Sequence, residues 1–235
     1  MGKTSLALGM ARSIAVERKL PCVIFSLEMS AREIAQRMMS AQANIDLFRL
    51  RTGNLRDDEW TRLIDACDQL DRAPLYIDDS AGINAMEIRA KTRRLKAREP
   101  ELGLVVIDYL QLMSSPERVE SRVQEISQIS RALKVMARDL DVPVLALSQL
   151  SRAVESRPDK KPLLSDLRES GSIEQDADLV LFVYREEYYT RDETPPERRG
   201  IAEVIVAKHR NGQVGSIDLT FIAEKARFAD LAREA

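Results

Sequence analysis

The sequence predicts one doubly wound α/β domain over residues 1–235, with a mostly parallel sheet and an antiparallel hairpin at its C-terminal end. Short apolar runs alternate with longer segments of helical period, which is typical of β-α-β folds. The run at residues 104–108 is apolar almost throughout, as in a strand covered by helices on both faces. Asn211 and Gly212 join two alternating segments, and this dipeptide favours a hairpin turn.

Local signals define the first elements of the chain. Residues 3–19 have the apolar period of a helix. Residues 21–27 form an apolar run that opens on a proline, so a buried strand is expected there. Ser30 and Glu33 have the spacing of a capping box, which predicts that a helix begins here and continues to about residue 43.

The same reasoning assigns the remaining elements. Asp57 is expected to cap a helix that runs through Leu70. The polar residues 151–172 are expected to form a long loop with a single helical turn, and the charged residues 186–200 to be mobile. Further helices are predicted at 83–98 and 119–140, and further strands at 75–78, 104–108, 143–147, 179–184, 201–208 and 215–222.

Composition limits the class of protein. With 31% charged residues and a net charge of −2, the chain has no basic surface overall, so any nucleic acid must be met by local loops. No apolar run approaches the roughly 20 residues that span a bilayer, and no secretory signal opens the chain. We therefore expect a cytoplasmic protein with no membrane partner. Cys22 and Cys67 are expected to be buried, reduced thiols, with a structural disulfide as the alternative. One histidine with two separated cysteines makes no zinc cluster.

Gly2-Lys3-Thr4-Ser5 stands at the mouth of the first predicted helix and has the sequence of the back half of a phosphate-binding loop. In such a loop, backbone N–H groups face the phosphates, the lysine reaches the terminal phosphates, and the threonine hydroxyl ligates Mg²⁺. The full pattern needs a glycine four residues before Gly2. Its absence leads us to expect a fragment, or a start at an internal methionine, that binds ATP poorly.

Three polar residues follow buried strands. Asp108 ends the strand 104–108, where a carboxylate can hold Mg²⁺, although an aspartate that caps a turn is the alternative. The next residue, Tyr109, cannot act as a base, so Glu28 is the candidate to activate water, unless it only leads into the capping box. Gln149 can sense the terminal phosphate, or be a simple polar strand end.

Lys208 and Arg210 lie at the tip of the predicted hairpin. On a rigid turn, two cations can reach a phosphate bound by a neighbouring subunit, and an arginine supplied in this way accelerates phosphoryl transfer by about 10³–10⁵. The alternative is that cations on an edge strand prevent unwanted pairing. His209, between them, is expected to be a hairpin residue and no catalyst.

The loop at residues 166–172 combines Arg168 with Gly171 and serine donors, so it can follow a sugar-phosphate backbone without reading its sequence. A solvated surface loop is the alternative. The helix at residues 83–98 is strongly basic, and such a charge run more often forms a solvated face than a nucleic-acid site.

Together these segments resemble the C-terminal motor domain of bacterial replicative DNA helicases of the DnaB type, within the RecA-like ATPases. The resemblance extends from residue 1 to about residue 228, and the stretch 168–178 is its most specific part. It rests on Gly2-Lys3-Thr4, residues 25–30, residues 106–113, residues 148–152, residues 166–178 and residues 208–212.

The resemblance implies a role for each site residue. ATP and Mg²⁺ are the implied cofactors, with Glu28 as the catalytic base, Gln149 as the phosphate sensor, and Arg210 with Lys208 as the finger that completes the neighbouring site. The implied nucleotide-binding residues are Gly2, Lys3, Thr4, Ser5 and Arg37, the last of which stacks on the base. The implied Mg²⁺ ligands are Thr4 and Asp108. Arg168, Glu169 and Gly171 are the implied DNA-binding residues, which line the central channel of a hexameric ring.

The resemblance also implies an activity and partners. The implied activity is ATP hydrolysis that drives a homo-hexamer along single-stranded DNA in the 5′–3′ sense. The moving hexamer unwinds the duplex at a replication fork. Primase and a helicase loader are implied partners of the parent protein, and the nucleoid its implied location. The family's N-terminal domain is absent from this sequence. Two alternatives stay open: a RecA-like recombination or repair ATPase, and a non-catalytic module that assembles or recruits without turnover.

Overall fold

A computed structural model describes residues 1–114 and 121–231, with the backbone alone at residues 168–170. The helices are α1 Lys3–Glu17, α2 Ala31–Ala43, α3 Leu47–Thr52, α4 Asp57–Asp71, α5 Ala85–Arg98, α6 Arg122–Leu140, α7 Gly171–Asp176 and α8 Glu186–Thr190. The strands are β1 Cys22–Ser26, β2 Leu75–Asp78, β3 Leu104–Asp108, β4 Val144–Ala146, β5 Leu179–Tyr184, β6 Ile201–His209, β7 Gly215–Ile222 and β8 Arg227–Asp230.

The first four strands form a parallel sheet in the order β2-β1-β3-β4. Helices cover both faces of this sheet, because successive side chains of a strand point to opposite sides. On one face α1 packs Ala11 against Ile24 and Val106, and on the other α6 packs against Phe25 and Ile107. The prediction of a doubly wound α/β fold is confirmed.

A second sheet is antiparallel, in the order β5-β6-β7-β8. The predicted hairpin joins β6 to β7 through Asn211 and Gly212. A β-carbon on Gly212 would lie 2.9 Å from the ring of His209, so a larger residue there would displace this exposed ring. The antiparallel part is larger than the predicted hairpin, since β5 and β8 extend it on either side. A buried apolar run such as β5 has the same composition in either kind of sheet, and β8 is too short for a periodic signal.

Two segments differ from the expectation of loop. Residues 151–172 contain 3-10 helices at Arg152–Ser156 and Leu164–Ser170, and α7 begins at Gly171. Residues 186–200 carry α8 and two 3-10 turns, with Thr194 only 2% exposed. Polar composition predicted loops in both cases, but buried hydrogen bonds to polar side chains give these segments a defined conformation.

Smaller corrections concern helix ends. Helix α4 begins at Asp57, which lies inside the first turn and does not cap it; the N–H of Arg56 donates to Glu59 at 2.9 Å instead. Helix α6 begins at Arg122 in the described chain, while the predicted start at 119 lies outside the described residues. Over the described ranges, no helix is both long and apolar enough to cross a membrane.

Candidate functional site

The start of α1 lies at the carboxyl edge of the parallel sheet. Gly2 is the N-cap residue, with φ of +101°, a conformation that favours glycine. A β-carbon there would come 3.1 Å from the ring of Phe228 and 3.3 Å from that of Phe221. Helix α1 then begins at Lys3 with Ser5 buried in its first turn. The aromatic pair beneath Gly2 was missed by the sequence analysis, because β7 and β8 give no local sign of proximity to residue 2.

The hydroxyl of Thr4 donates to Asp108 at 2.8 Å, so the predicted magnesium residues are in contact. Burial raises the pKa of the Asp108 carboxyl, and the charge of Glu28 adds to this, whereas the Thr4 hydrogen bond and the cations Lys3 and Arg37 oppose it. Asp108 is 6% exposed. A buried carboxylate beside a hydroxyl, at a helix N-terminus, is the donor set of a hard cation.

The oxygen donors of Thr4 and Asp108 distinguish a site for nucleotide-bound Mg²⁺ from an all-protein metal site. No group of three or more His, Cys, Asp or Glu side chains is placed to hold a metal in the described part of the chain. Mg²⁺ in nucleotide sites takes one or two protein oxygens and completes its shell with phosphates and water. Thr4 and Asp108 therefore fit Mg²⁺ that arrives with a nucleotide, and they do not fit an all-protein metal cage.

The ammonium of Lys3 donates to the carbonyl of Ser148 at 2.6 Å. Burial lowers the pKa of Lys3, while the charges of Asp108 and Glu28 raise it. The lysine thus lies among carboxylates in a partly dehydrated position, which strengthens its attraction for an incoming anion. Ser148 directly precedes Gln149, so Lys3 touches the segment that carries the predicted phosphate sensor.

Glu28 follows β1 by two residues. Ser26, the last residue of β1, pairs in register with Asp108, and the N–H of Leu27 donates to the Asp108 carbonyl at 2.8 Å. The Ser26 hydroxyl then closes a tight turn with Met29, donating to its carbonyl at 2.7 Å and accepting from its N–H at 3.1 Å. This turn presents Glu28 as an exposed carboxylate beside Asp108 and Lys3, and Ser26 is a supporting residue that the sequence analysis missed.

Gln149 follows β4, and its backbone is attached to the neighbouring strand. Its N–H donates to the side-chain oxygen of Gln111 at 3.2 Å, and the Gln111 amide donates to the Ser148 hydroxyl at 2.9 Å. Gln111 therefore links the segment after β3 to the segment after β4. It was not predicted, although an amide three residues beyond Asp108 was an available signal.

Arg37 extends from α2 towards the same edge of the sheet, where its charge lowers the pKa of Asp108. Its Nε is buried and has no hydrogen-bond partner among the described residues. The contribution to Asp108 supports a place for Arg37 beside the phosphate loop.

Lys208 and Arg210 lie apart from these residues in the single chain. Their side chains contact the carboxyl end of α7, where Lys208 Nζ donates to the carbonyl of Glu174 and Arg210 pairs with Asp178. The basic residues of α5 also contact their own chain: Arg89 pairs with Asp139 at 2.8 Å.

The predicted nucleic-acid loop begins in a segment that side-chain hydrogen bonds hold in place. Residues 164–170 form a 3-10 helix, and Gly171 opens α7 as an exposed residue. The side chains of Arg168 and Glu169 lie outside the described residues. Asp166, 4% exposed, accepts from Arg157 at 3.0 and 2.7 Å and from the N–H of Leu163 at 2.7 Å. This buried carboxylate was not singled out from the sequence.

Comparison with known proteins places this geometry in a family. The family model for the DnaB-like helicase C-terminal domain matches residues 1–230. The replicative DNA helicase DnaB of Geobacillus stearothermophilus is 52% identical over 234 residues, which are 99% of this chain and 51% of that protein. The replicative DNA helicase DnaC of Bacillus subtilis (strain 168) is 50% identical, with the same coverage of both chains.

A solved structure agrees with the sequence comparison. It describes a DnaB-like replicative helicase and its interactions with primase, and it superposes with a TM-score of 0.94 at 43% identity. The superposition covers 99% of this chain and 55% of that one. The chain spans about half the length of the curated relatives it matches. Because the family model matches almost the whole chain and the relatives are about 50% identical, this chain belongs to the DnaB-like helicase C-terminal domain family.

Proposed function

We propose that this chain is the ATP-hydrolysing motor of a replicative DNA helicase. In this proposal six copies form a ring, single-stranded DNA passes through its channel, and ATP hydrolysis between neighbouring copies drives the ring along the strand. The duplex is unwound at the replication fork as the ring advances in the 5′–3′ sense. Family membership supports the helicase class, and the site geometry supports the nucleotide chemistry.

One observation carries the proposal: Lys3, Thr4 and Asp108 meet at the N-terminus of α1, with Glu28 beside them. The N–H groups at the start of α1 favour phosphate oxygens, and Gly2 lets the backbone approach them closely. Thr4 and Asp108 would hold Mg²⁺, which would supply positive charge against the charge that develops on the phosphate.

The chain's own groups then supply the hydrolytic step. Glu28 is exposed next to the phosphate position and accepts a proton from the attacking water, so that the water oxygen forms its bond to the terminal phosphorus as the bond to the leaving oxygen breaks. Lys3 leaves the carbonyl of Ser148 for the phosphates. Because Ser148 adjoins Gln149, this move links phosphate occupancy to the segment after β4.

The remaining residues act between copies. Arg210, with Lys208, is proposed to reach the triphosphate of the next copy and stabilise the charge of its transition state. Arg168, Glu169 and Gly171 are proposed to follow the DNA backbone, and Arg37 to lie against the base of ATP. A primase is a proposed partner because a DnaB-like relative has been solved with its primase interactions; a helicase loader is proposed on resemblance alone.

The decisive experiment measures ATP turnover and strand displacement by the full-length protein, with and without single-stranded DNA, on a forked duplex. Glu28→Gln is expected to retain nucleotide binding and to lower kcat by roughly 10²–10⁴. Glu17→Gln is the matched control, since Glu17 is an exposed glutamate at the far end of α1. Wild-type protein without DNA-stimulated turnover, or a Glu28→Gln variant with normal turnover, would remove the proposal.

A further inference from the structure

Two cations of the β6–β7 hairpin are attached to the end of α7. Lys208 Nζ lies 2.5 Å from the carbonyl oxygen of Glu174 and 3.4 Å from that of Gln175. Arg210 Nη2 lies 3.5 Å from the same Gln175 carbonyl. The last carbonyls of a helix have no partner within the helix and carry negative partial charge, so cations at this position stabilise the helix end.

Asp178, two residues beyond α7, completes the attachment. Its carboxylate lies 3.0 Å from Arg210 Nη1, and its carbonyl accepts from the backbone N–H of Arg210 at 2.8 Å. The other carboxylate oxygen contacts Lys134 of α6. Hydrogen bonding from Lys134, together with the charges of Lys134, Arg210 and Lys208, holds the pKa of Asp178 below its ordinary value. The carboxylate is therefore ionised and available to both cations at neutral pH.

The proposed DNA-binding residues lie between Asp166 and Asp178, and the two ends of this segment are attached in different ways. At its start, Asp166 is 4% exposed and satisfied by Arg157 and the N–H of Leu163. At its end, the side chains of Arg210 and Asp178 are 52% and 55% exposed. Exposed ion pairs are weak, because water competes for both partners. At that end α7 also packs on α6, through Ser130 with Asp176 at 2.8 Å and Ser172 with Ser127 at 2.9 Å. A stronger anion can therefore replace the contacts of the two hairpin cations while α7 keeps its packing on α6.

We propose that Asp178 and the carboxyl end of α7 form an internal docking site for Lys208 and Arg210, with Asp178 as the positioning residue for Arg210. The two cations leave this site when they engage the triphosphate of a neighbouring copy. The inference rests on the proposed function, since it needs a nucleotide in that neighbour. Arg210 gives up its contacts with Asp178 and Gln175 when it turns Nη1 and Nη2 towards a phosphate of a second subunit. Nucleotide bound by the neighbouring copy therefore decides whether the end of α7 keeps these contacts.

Linkage makes this coupling reciprocal. If a neighbour's triphosphate draws Arg210 away from α7, then DNA that shifts α7 must also change the availability of Arg210 for that triphosphate. The contact with Asp178 distinguishes this arrangement from one in which the Arg210 side chain always points towards the neighbouring copy. Without its carboxylate, Arg210 is expected to be free for the neighbour whether or not DNA is bound.

The docking contact is tested first without nucleotide, by amide hydrogen exchange of residues 171–178 in the full-length protein. Asp178→Asn, Lys208→Ala and Arg210→Ala are each expected to accelerate exchange there by roughly 3- to 10-fold, since each removes a partner of the helix end. Arg89→Ala is the matched control, because Arg89 forms an exposed ion pair with Asp139 that joins α5 to α6. Unchanged exchange in all three variants would overturn the docking site.

The release is tested with a non-hydrolysable ATP analogue and Mg²⁺. Wild-type exchange at residues 171–178 is expected to rise towards that of a double variant carrying Lys208→Ala and Arg210→Ala, and the double variant is expected to show no further rise. Protection of residues 2–8 by the analogue, with residues 171–178 unchanged in the wild type, would overturn the release. An analogue that fails to bind at all would overturn the proposed function and the release with it, whereas the nucleotide-free comparison would still decide the docking contact.

The stimulation of ATP turnover by single-stranded DNA is a third measurement, and it would not change if Asp178 only supported the fold. Asp178→Asn is expected to raise ATP turnover in the absence of DNA by about 2- to 10-fold and to reduce the stimulation by single-stranded DNA. Asp178→Glu, which keeps the charge, is expected to restore the stimulation. Loss of turnover with and without DNA in equal proportion, unrescued by glutamate, would show that Asp178 only supports the fold and would overturn its positioning role.

Discussion

The hydroxyl of Thr4 donates a hydrogen bond of 2.8 Å to the carboxylate of Asp108, 104 positions further along the chain. Thr4 lies in the first turn of α1, and Asp108 is the last residue of β3. The two meet because parallel strands end at one edge of a sheet and the helix that covers the sheet begins at that same edge. This edge of the sheet and the segments that contact the proposed partners lead to four measurable expectations.

Asp108→Asn is expected to stabilise the protein in the absence of nucleotide. Burial raises the pKa of Asp108 above its ordinary value of 3.8, so the folded state disfavours the carboxylate. For an acid whose folded-state pKa is raised, ionisation costs no folding stability below the unfolded-state pKa. The cost grows as pH rises from the unfolded-state pKa through the folded-state pKa, and it is complete above the latter. At neutral pH the variant should melt roughly 2–4 °C higher, since Asn can still accept from Thr4.

Thermal melts of both proteins across the acidic range would test this prediction. The difference in Tm between variant and wild type should widen as pH rises above about 4. A difference that is constant with pH would show that the ionisation of Asp108 is not its cause.

Lys3→Ala is expected to abolish the stabilisation of the protein by nucleotide. A ligand present at 100 times its Kd stabilises the folded state by about 2.7 kcal/mol, and this shift should vanish when the phosphate-binding ammonium is removed. Differential scanning fluorimetry with an ATP analogue and Mg²⁺ measures it. Lys96→Ala is the control, since Lys96 donates to the carbonyl of Asp141 at 2.8 Å, well away from α1. An unaltered shift in Lys3→Ala would exclude this lysine from the nucleotide site.

Arg210→Ala is expected to lower ATP turnover by about 10³–10⁵ while leaving DNA binding largely intact, because the missing charge acts on a neighbour's triphosphate. Mixed rings sharpen the test. Rings assembled from Arg210→Ala and Lys3→Ala copies contain interfaces in which one copy supplies an intact phosphate loop and the other an intact finger. Recovered turnover in the mixture is the expected result. Normal turnover of Arg210→Ala alone would refute the finger assignment.

Asp166→Ala is expected to destabilise the protein by roughly 1.5–3 kcal/mol, the usual loss for hydrogen bonds to a charged group. The same change should weaken binding to single-stranded DNA, because Asp166 fixes the start of the proposed DNA segment. Urea unfolding and fluorescence anisotropy measure the two effects. The control is Asp159→Ala, because Asp159 is an exposed carboxylate seven residues before Asp166 that accepts from the N–H of Lys161 at 2.9 Å. Equal stability of the two variants would contradict the anchoring role.

The sequence by itself determined which side chains gather at the edge of the parallel sheet. Gly2-Lys3-Thr4 marked the start of a helix, Glu28 followed a short apolar run that favours a buried strand, and Asp108 ended another. Because the carboxyl ends of parallel strands face the same way, these local signals were enough to predict that the side chains meet. Helix periods and the Ser30 capping box needed no long-range information either.

Tertiary structure alone decided the contacts that hold these groups in place. Gln111 joins Ser148, Phe228 lies under Gly2, and Arg210 attaches to Asp178, each across a long stretch of chain. No local period encodes such a pair, since its partners come together only after two sheets and their helices have packed. The same reason explains the antiparallel sheet: composition identifies a buried strand, but its neighbours and its direction are set by the path of the whole chain.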